Sequence, residues 1–432
     1  MALPQDLRYE LKPVSASARQ YLQNIAPTSG STFSPGNVIR INIPCGRPNT
    51  AYQPHQSYLK FSVNVAAQDA VIDHNAQSVI QRLTVYHGSN LLEDIQQYNV
   101  AVAALHDMMT DGSEAGRQGA INAGFQASAV GTTSNTVCRN GVSMTAGAAK
   151  TFCVPLMSGV VGTLLGKNLP VGEMGAGDLR IEIELAPFAD CLRSAAHGSN
   201  PTGYTVSDVE YVCSFVEVSQ GAMDDIRRAH GGRYAISSES YRNYTESITA
   251  GAGEKVVLIP AKFSSLKTLV CALRADDNAG DVNANTISSR AKGAMTQYQF
   301  RLAGGLSLPS QPVDCTDGAQ PIAELQRAYH ALGVSNSQTM FNATQFNLPT
   351  GKPAGGAIQT DANHGSYLFG INLDAFGASS HLLEQGTDTL GAGNIFLNMT
   401  QGAANVASQL STFAHYDLLL QVDENGVMSA KY

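Results

Sequence analysis

The amino-acid sequence predicts an all-β chain built from two tandem eight-stranded jelly rolls, a double jelly roll with short helices and long loops. Three observations lead to this prediction. Period-two alternation of apolar and polar residues dominates the chain, and this alternation is typical of half-buried strands. Helical patterns are few and short. The order of strands, turns and one helix also recurs in the second half of the chain.

Length and composition narrow the choice of protein class. The chain has 432 residues, which is above the roughly 250–300 residues at which single cores stop growing, so two core units are expected. Charged residues make up 14% of the chain, where about 25% is ordinary. This composition argues against a charge-rich disordered chain and against a coiled coil. The formal charge of −8 argues against direct binding of nucleic acid, whose phosphates would be repelled on average.

Alternating apolar residues predict the strands of both halves. In the first half, Ile39, Ile41 and Ile43 alternate with polar neighbours, and Leu179–Leu185 repeats the pattern. The other predicted first-half strands are Leu59–Val65, Leu83–His87, Leu91–Ile95 and Val209–Phe215. In the second half the predicted strands are Lys255–Pro260, Leu266–Leu273, Tyr298–Leu302, Tyr367–Leu373, Ile395–Met399 and Tyr416–Val422.

Helical spacing predicts three helices, at Gln96–Thr110, Met223–His230 and Pro321–Leu332. Gly231 and Gly232 follow the second of these, which makes it a natural linker. Its acidic residues followed by arginines match the dipole of the helix itself, and a salt link between subunits is the alternative.

The predicted domain boundaries follow from these elements. Residues 1–35 form an N-terminal segment on the inner face, with a short helix around Ala16–Ile25. The first jelly roll covers residues 36–220, the linker helix 221–232, and the second jelly roll 233–432. Three long loops rich in small residues, Gly112–Lys150, Ala275–Thr296 and Leu332–His364, are expected to serve as surface or assembly elements.

The internal repeat is the most informative feature of the sequence. Val85 and Phe300 are 215 positions apart, Cys153 and Phe369 are 216 apart, and Ile181 and Phe396 are 215 apart. Tyr211 and Tyr416 are 205 apart. Four elements in a nearly constant register favour a duplicated fold, although evenly spaced strands always permit some chance alignment.

Four stretches carry a resemblance to a known family: Val79–Leu105 (VIQRLTVYHGSNLLEDIQQYNVAVAAL), Phe152–Leu185 (with FCVPL and LRIEIEL), Tyr298–Asp314 (YQFRLAGGLSLPSQPVD) and His415–Gly426 (HYDLLLQVDENG). In this order they resemble segments of double jelly-roll major capsid proteins. Those proteins occur in polinton-like viruses, virophages and nucleocytoplasmic large DNA viruses, within the adenovirus–tectivirus lineage. The chain departs from the pattern at its first turn, where Gly88-Ser89 replaces the Gly-Gly of many large-virus members.

The resemblance implies a viral major capsid protein that forms pseudo-hexagonal homotrimers, which tile an icosahedral shell. The implied partners are further copies of the chain, penton and minor capsid proteins, and, as a further candidate, an internal membrane. The implied location is the virion, after synthesis inside the host cell without secretion. Seven scattered cysteines with no CxxC pair fit reduced intracellular thiols. The alternatives are a carbohydrate- or receptor-binding module of the spike or lectin kind, a minor capsid or penton protein, and a glycan-active β enzyme, which would need two carboxylates in one cleft although no spacing suggests them.

The sequence predicts no enzyme, since it contains no catalytic motif, cofactor motif or metal-binding cluster. The loop Asp276–Asp281 offers oxygens to a cation but lacks the bidentate Glu of a calcium loop, so a solvated loop tip is favoured. His55, His74, His87 and His106 share no spacing, and surface or capping positions are expected for them.

Overall fold

The computed structural model describes most of the chain. The described residues are 17–109, 119–124, 141–302, 305–330, 332, 343–349, 351–353, 355, 357–360, 363–375, 385–391 and 393–432. Their architecture consists mainly of antiparallel strands. The prediction for the loop 112–150 therefore lies largely outside the described residues.

The first half folds into two main sheets and a small third one. The first sheet has the order β1-β13-β5-β10, and β2 and β4 also pair with β13. Its strands are β1 (Ala18–Ile25), β2 (Thr32–Phe33), β4 (Thr50–Tyr52), β5 (Tyr58–Val65), β10 (Lys150–Val154) and β13 (Tyr204–Val218). The second sheet has the order β3-β11-β7-β8, with β3 (Val38–Ile43), β7 (Ile80–His87), β8 (Asn90–Gln96) and β11 (Leu179–Leu185). The small sheet contains β6 (Ala70–Ile72), β9 (Val142–Met144) and β12 (Leu192–Ser194).

The second half repeats both main sheets strand for strand. One sheet has the order β14-β21-β16-β19, and β22 also pairs with β21. Its strands are β14 (Tyr234–Ile248), β16 (Leu266–Ala275), β19 (Phe369–Asn372), β21 (Ser408–Val422) and β22 (Met428–Lys431). The other sheet has the order β15-β20-β17-β18, with β15 (Gly253–Ile259), β17 (Met295–Arg301), β18 (Ser307–Asp314) and β20 (Ile395–Gln401). Each half therefore contains the two sheets of a jelly roll, each built on a path of four strands, and the all-β double jelly-roll prediction is confirmed.

The helices connect the strands. They are α1 (Tyr98–Met109), α2 (Ala120–Asn122), α3 (Phe188–Cys191), α4 (Gln220–His230), α5 (Ala319–Ala328) and α6 (Ala343–Phe346). Short 3-10 turns lie at Pro54–Gln56, Ala76–Val79, Val171–Glu173 and Asp276–Asn278. Helix α4 links the last strand of the first half to the first strand of the second, and Gly231 ends it in the left-handed conformation at φ 61°.

The helix predicted around Ala16–Ile25 is wrong, because residues from Ala18 onward form β1. This strand pairs with β13 along its whole length, and Ile25 lies opposite Tyr211. Tyr21 stacks on the buried ring of Phe215 at 5.6 Å between centroids. Packing of alternate residues against a neighbouring strand therefore overrides the local helical pattern.

Alternation of apolar and polar residues places the core between the sheets. On β3 the side chains of Ile39, Ile41 and Ile43 are 2% exposed or less, and Arg40 between them points outward. Burial of one such side chain contributes about 1.5–3 kcal/mol, so a slip of one residue in register would be costly.

The repeat also has a definite register. Ile181 faces the core whereas Phe396 faces outward, so the inward equivalent of Ile181 is Leu397.

Candidate assembly surfaces

A buried carboxylate joins three segments at the junction between the two halves. Glu93 on β8 is 2% exposed, and its carboxylate accepts hydrogen bonds from Gly159 N at 2.8 Å and from the hydroxyl of Ser158. It also accepts one from Ser240 Oγ on β14 of the second half, at 2.5 Å. Burial raises the pKa of Glu93, because desolvation penalises the charged form. One side chain thus connects both halves.

The loop after β10 approaches the second half so closely that it needs a glycine. The carbonyl oxygen of Gly159 accepts a hydrogen bond from Ser238 Oγ at 2.6 Å. A Cβ atom at Gly159 would lie 2.2 Å from the carbonyl oxygen of Glu239. Only glycine lets the two backbones come together here.

A second polar group extends the junction beyond β8. The Gln97 side-chain oxygen accepts hydrogen bonds from Arg274 Nη2 at 3.0 Å and from Ser411 Oγ at 2.6 Å. Burial lowers the pKa of Arg274 to about 10, because desolvation disfavours the cation. A polar cavity of about 240 Å³ lies beside these residues and is lined by both halves. Hydrogen bonds therefore connect the two halves in this part of the junction as well.

Two further carboxylates bind the second half from the first. Asp73 accepts hydrogen bonds from the backbone N–H groups of Ile287 at 2.7 Å and Ser288 at 3.0 Å. Asp107 on α1 forms an ion pair with Arg290, and both side chains are fully buried. A buried ion pair that loses one member leaves an uncompensated charge, so these contacts fix how the halves pack together.

Three of the four histidines singled out from the sequence lie at or near this junction. His74 Nε2 lies 3.3 Å from Asp107 Oδ1, and the His74 and His106 rings are 6.2 Å apart. Burial lowers the pKa of His106 to about 4. His87 Nδ1 accepts a hydrogen bond from Met428 N at 3.0 Å. The expectation of surface or capping positions is wrong for the buried His74 and His87, whereas His55 is exposed.

The outward faces of the two equivalent sheets differ in chemistry. On the first-half sheet, Arg40 pairs with Glu182 at 3.0 Å, and the Arg180 guanidinium lies 4.6 Å from the centre of the Tyr86 ring. Arg82 forms two hydrogen bonds with the Asp94 carboxylate. This face is polar and is connected by ion pairs, as expected for a solvated surface.

The second-half sheet carries apolar side chains at the equivalent positions. Val256 is 61% exposed, Leu258 is 47% exposed and Phe396 is 40% exposed. Leu258 and Phe396 lie directly opposite each other on neighbouring strands. Clustered exposed apolar side chains mark interaction surfaces more often than scattered ones do.

No catalytic, cofactor-binding or metal-binding residue is predicted from the sequence. In the Asp276–Asp281 loop, Asp277 pairs with Lys352 at 2.6 Å and Asp281 accepts a hydrogen bond from Asn283 N. Across the described ranges, no three His, Cys, Asp or Glu side chains are grouped to hold a metal ion. On α4, Arg227 binds Glu173 of the same chain through two hydrogen bonds.

Among the helices in the described part of the chain, none has the length and hydropathy needed to span a bilayer.

Comparisons with known proteins identify the fold. No family model matches the chain, and no curated protein matches it. Solved structures do match, over nearly the whole length of both chains. The Sputnik virophage structure aligns with a TM-score of 0.63 and 13% identity, covering 100% of this chain and 92% of that chain. The PBCV-1 virus capsid aligns with a TM-score of 0.62 and 10% identity, covering 99% and 100%.

The Faustovirus major capsid protein aligns with a TM-score of 0.59 and 10% identity, covering 96% of this chain and 92% of that chain. Structural alignments at identities this low show a shared fold and nothing more. The shared fold agrees with the strand order of the two sheets in each half. The chain therefore has the double jelly-roll fold of viral major capsid proteins.

Proposed function

We propose that the chain is a viral major capsid protein that self-associates into pseudo-hexagonal homotrimers, and that these trimers tile an icosahedral shell. The observation that carries the proposal is the match of the whole chain, both jelly rolls included, to capsid proteins over 92–100% of their length. A chain with two copies of one fold presents six similar units when three chains close a ring.

The surface chemistry supports this role. The low charged fraction of 14% suits a protein that buries much of its surface against copies of itself, because charge is depleted at the centres of such interfaces. The apolar face formed by Val256, Leu258 and Phe396 provides one surface of that kind. With a net charge of −8, the shell would not bind the genome through its own charge.

The proposal includes the partners and the location inferred from the sequence. Penton and minor capsid proteins would complete the shell, and an internal membrane is a further candidate beneath it. The chain would be made inside the host cell and would act in the virion. The proposed units are the jelly rolls at 36–220 and 233–432, with residues 221–232 as the linker; β1 adds a strand to the first unit from the N-terminal segment.

The test is the mass of the purified chain by light scattering, with electron microscope images of the same peak. We expect about three times the chain mass of 45.5 kDa and a six-cornered outline. A monomer at every accessible concentration would contradict the proposal. A monomer that binds glycans would favour a carbohydrate-binding module, and pentamers would favour a penton protein.

A further inference from the structure

The two halves of the internal repeat meet at one junction within the chain. Each half also has a surface equivalent to the one that the other half uses at this junction, and these two equivalent surfaces lie outside the junction. Within the chain, β14 of the second half packs against β8 of the first half through Ser240 and Glu93. The repeat identifies the residue of the first half that is equivalent to Ser240 and the residue of the second half that is equivalent to Glu93.

Strand β1 takes the place of β14. Ile25 on β1 lies opposite Tyr211 of β13, and Ser240 on β14 lies opposite Tyr416 of β21. Leu59 and Leu266 flank these tyrosines on the next strand in the same relation. Ile25 is therefore the equivalent of Ser240.

Strand β18 takes the place of β8. In the first hairpin Val85 pairs with Glu93, and in the second Phe300 pairs with Leu308, eight residues further along in each case. Both hairpins also have a register shift beside this pair. Leu308 is therefore the equivalent of Glu93.

The two pairs differ in how far their side chains are buried. Ser240 and Glu93 are 0% and 2% exposed, because each half covers the other. Ile25 and Leu308 are only partly buried, although both are apolar. Among the strands that the structure describes, β18 pairs with β17 alone. Pro309 and Pro312 lie on β18 and lack N–H groups, so a partner would meet this strand through side chains rather than by adding a strand.

We propose that Ile25 of one copy packs against Leu308 of the next copy, in the relation that Ser240 has to Glu93 within the chain. This inference rests on the proposed self-association and specifies its contact surfaces. The contact is head-to-tail, so that successive copies close a ring in which junctions within and between chains alternate. A polar pair within the chain is thereby matched by an apolar pair between chains.

The experiment exchanges the chemistry of the two junctions. Leu308→Glu places a carboxylate against Ile25 and is expected to lower the association constant by about tenfold or more, because the buried carboxylate lacks a donor. Adding Ile25→Ser recreates the hydroxyl–carboxylate pair of the inner junction. The double variant is expected to recover most of the loss. Leu390→Glu, the same substitution at a 53% exposed position that belongs to neither proposed contact surface, is the matched control and should stay within about twofold.

Association is measured by light scattering across a dilution series, and circular dichroism checks that each variant is folded. If the unsubstituted chain is monomeric throughout, the proposed function and this inference both fail. If it associates and Leu308→Glu associates equally well, the inference alone is overturned. The inference is also overturned if the association constant of the double variant falls by the product of the factors measured for Leu308→Glu and Ile25→Ser alone, because independent substitutions give that result.

Hydrogen exchange of the unsubstituted chain gives a test without any variant. On association, the amides of Ala18–Ile25 and Ser307–Asp314 are expected to exchange more slowly than in the diluted monomer. Equal exchange of both strands in the two states would overturn the inference even if the Leu308→Glu variant did not fold.

Discussion

Replacement of Glu93 is the sharpest test of the junction between the halves. Its carboxylate accepts hydrogen bonds from Ser158, Gly159 and Ser240, and these three donors come from two segments of the chain outside its own strand. Glu93→Ala removes all three acceptor contacts in a buried setting. Glu93→Gln keeps one oxygen at nearly the same volume.

The expected magnitude follows from the donors left behind. A buried donor without an acceptor costs about 1–3 kcal/mol. The two hydroxyls can rotate toward other acceptors, so the lower value applies to them, whereas the N–H of Gly159 is fixed. With about 1 kcal/mol for each hydroxyl and up to about 3 kcal/mol for the fixed N–H, Glu93→Ala should lower the free energy of unfolding by about 3–5 kcal/mol, and Glu93→Gln by about 1 kcal/mol.

The assay is chemical denaturation at neutral pH. Glu246→Ala is the control, because Glu246 is an exposed residue of β14 and should change stability by less than about 0.5 kcal/mol. If Glu93→Ala matches Glu246→Ala, the carboxylate does not hold the halves together and the reasoning is refuted.

The pH dependence of the same variants gives an independent check. The pKa of Glu93 is raised in the folded chain, so the folded state takes up a proton before the unfolded state does. The stability of the unsubstituted chain relative to Glu93→Gln should therefore increase as the pH falls through the raised pKa toward the ordinary value of 4.5. A difference that does not change with pH would contradict the assigned burial.

Three further predictions concern the same molecule. Gly159→Ala should cost about 2 kcal/mol in denaturation experiments, because its Cβ would meet the Glu239 carbonyl, whereas Gly166→Ala has open space and should be nearly neutral. Arg290→Met should cost about 3–5 kcal/mol by the same measurement, since it leaves the Asp107 carboxylate buried without its cation; a loss below 1 kcal/mol would contradict this. Hydrogen bonds from His415 and Lys267 lower the pKa of Glu239 to about 2, so its stabilising contribution is present above pH 4.5 and is lost as the pH falls toward 2. The thermal midpoint of Glu239→Gln should therefore fall less than that of the unsubstituted chain in this range, by an amount equivalent to about 1–2 kcal/mol after solvent screening.

The sequence predicts most strands because their apolar residues alternate. The runs Ile39–Ile43 and Leu179–Leu185 alternate strictly and form β3 and β11. Helices α1, α4 and α5 were also predictable, each within a few residues at its ends, since helix ends depend on local capping and packing.

The same strand cannot be predicted from the sequence in either half. The local pattern predicts a helix at β1 and no strand at β14, and these two occupy equivalent places in the repeat. Strand β14 reads as polar because Ser238 and Ser240 point into a hydrogen-bonded junction instead of an apolar core. Alternation of apolar and polar residues reveals strands that face an apolar core, so a strand that binds another unit through hydroxyl groups gives no such signal.

The junction residues could not be identified from spacing for a related reason. Glu93 and Ser240 are 147 positions apart, and Asp107 and Arg290 are 183 apart. Nothing local marks a carboxylate that will meet its donor across a domain boundary. The one available signal is an acidic residue within an apolar strand, as Glu93 follows Leu91 and Leu92.

Helix α4 has a thermodynamic consequence for the two kinds of junction. By tethering one half to the other, it holds them at an effective concentration on the order of millimolar, so the inner contact forms without the entropic penalty of bringing two molecules together. Hydrogen bonds with small net gain, such as that of Glu93 with Ser240, are then sufficient. A contact between separate chains loses translational freedom and must release more water from apolar surface, which Ile25 and Leu308 can supply. Duplication within one chain thus lets one junction specialise in orientation and the other in affinity.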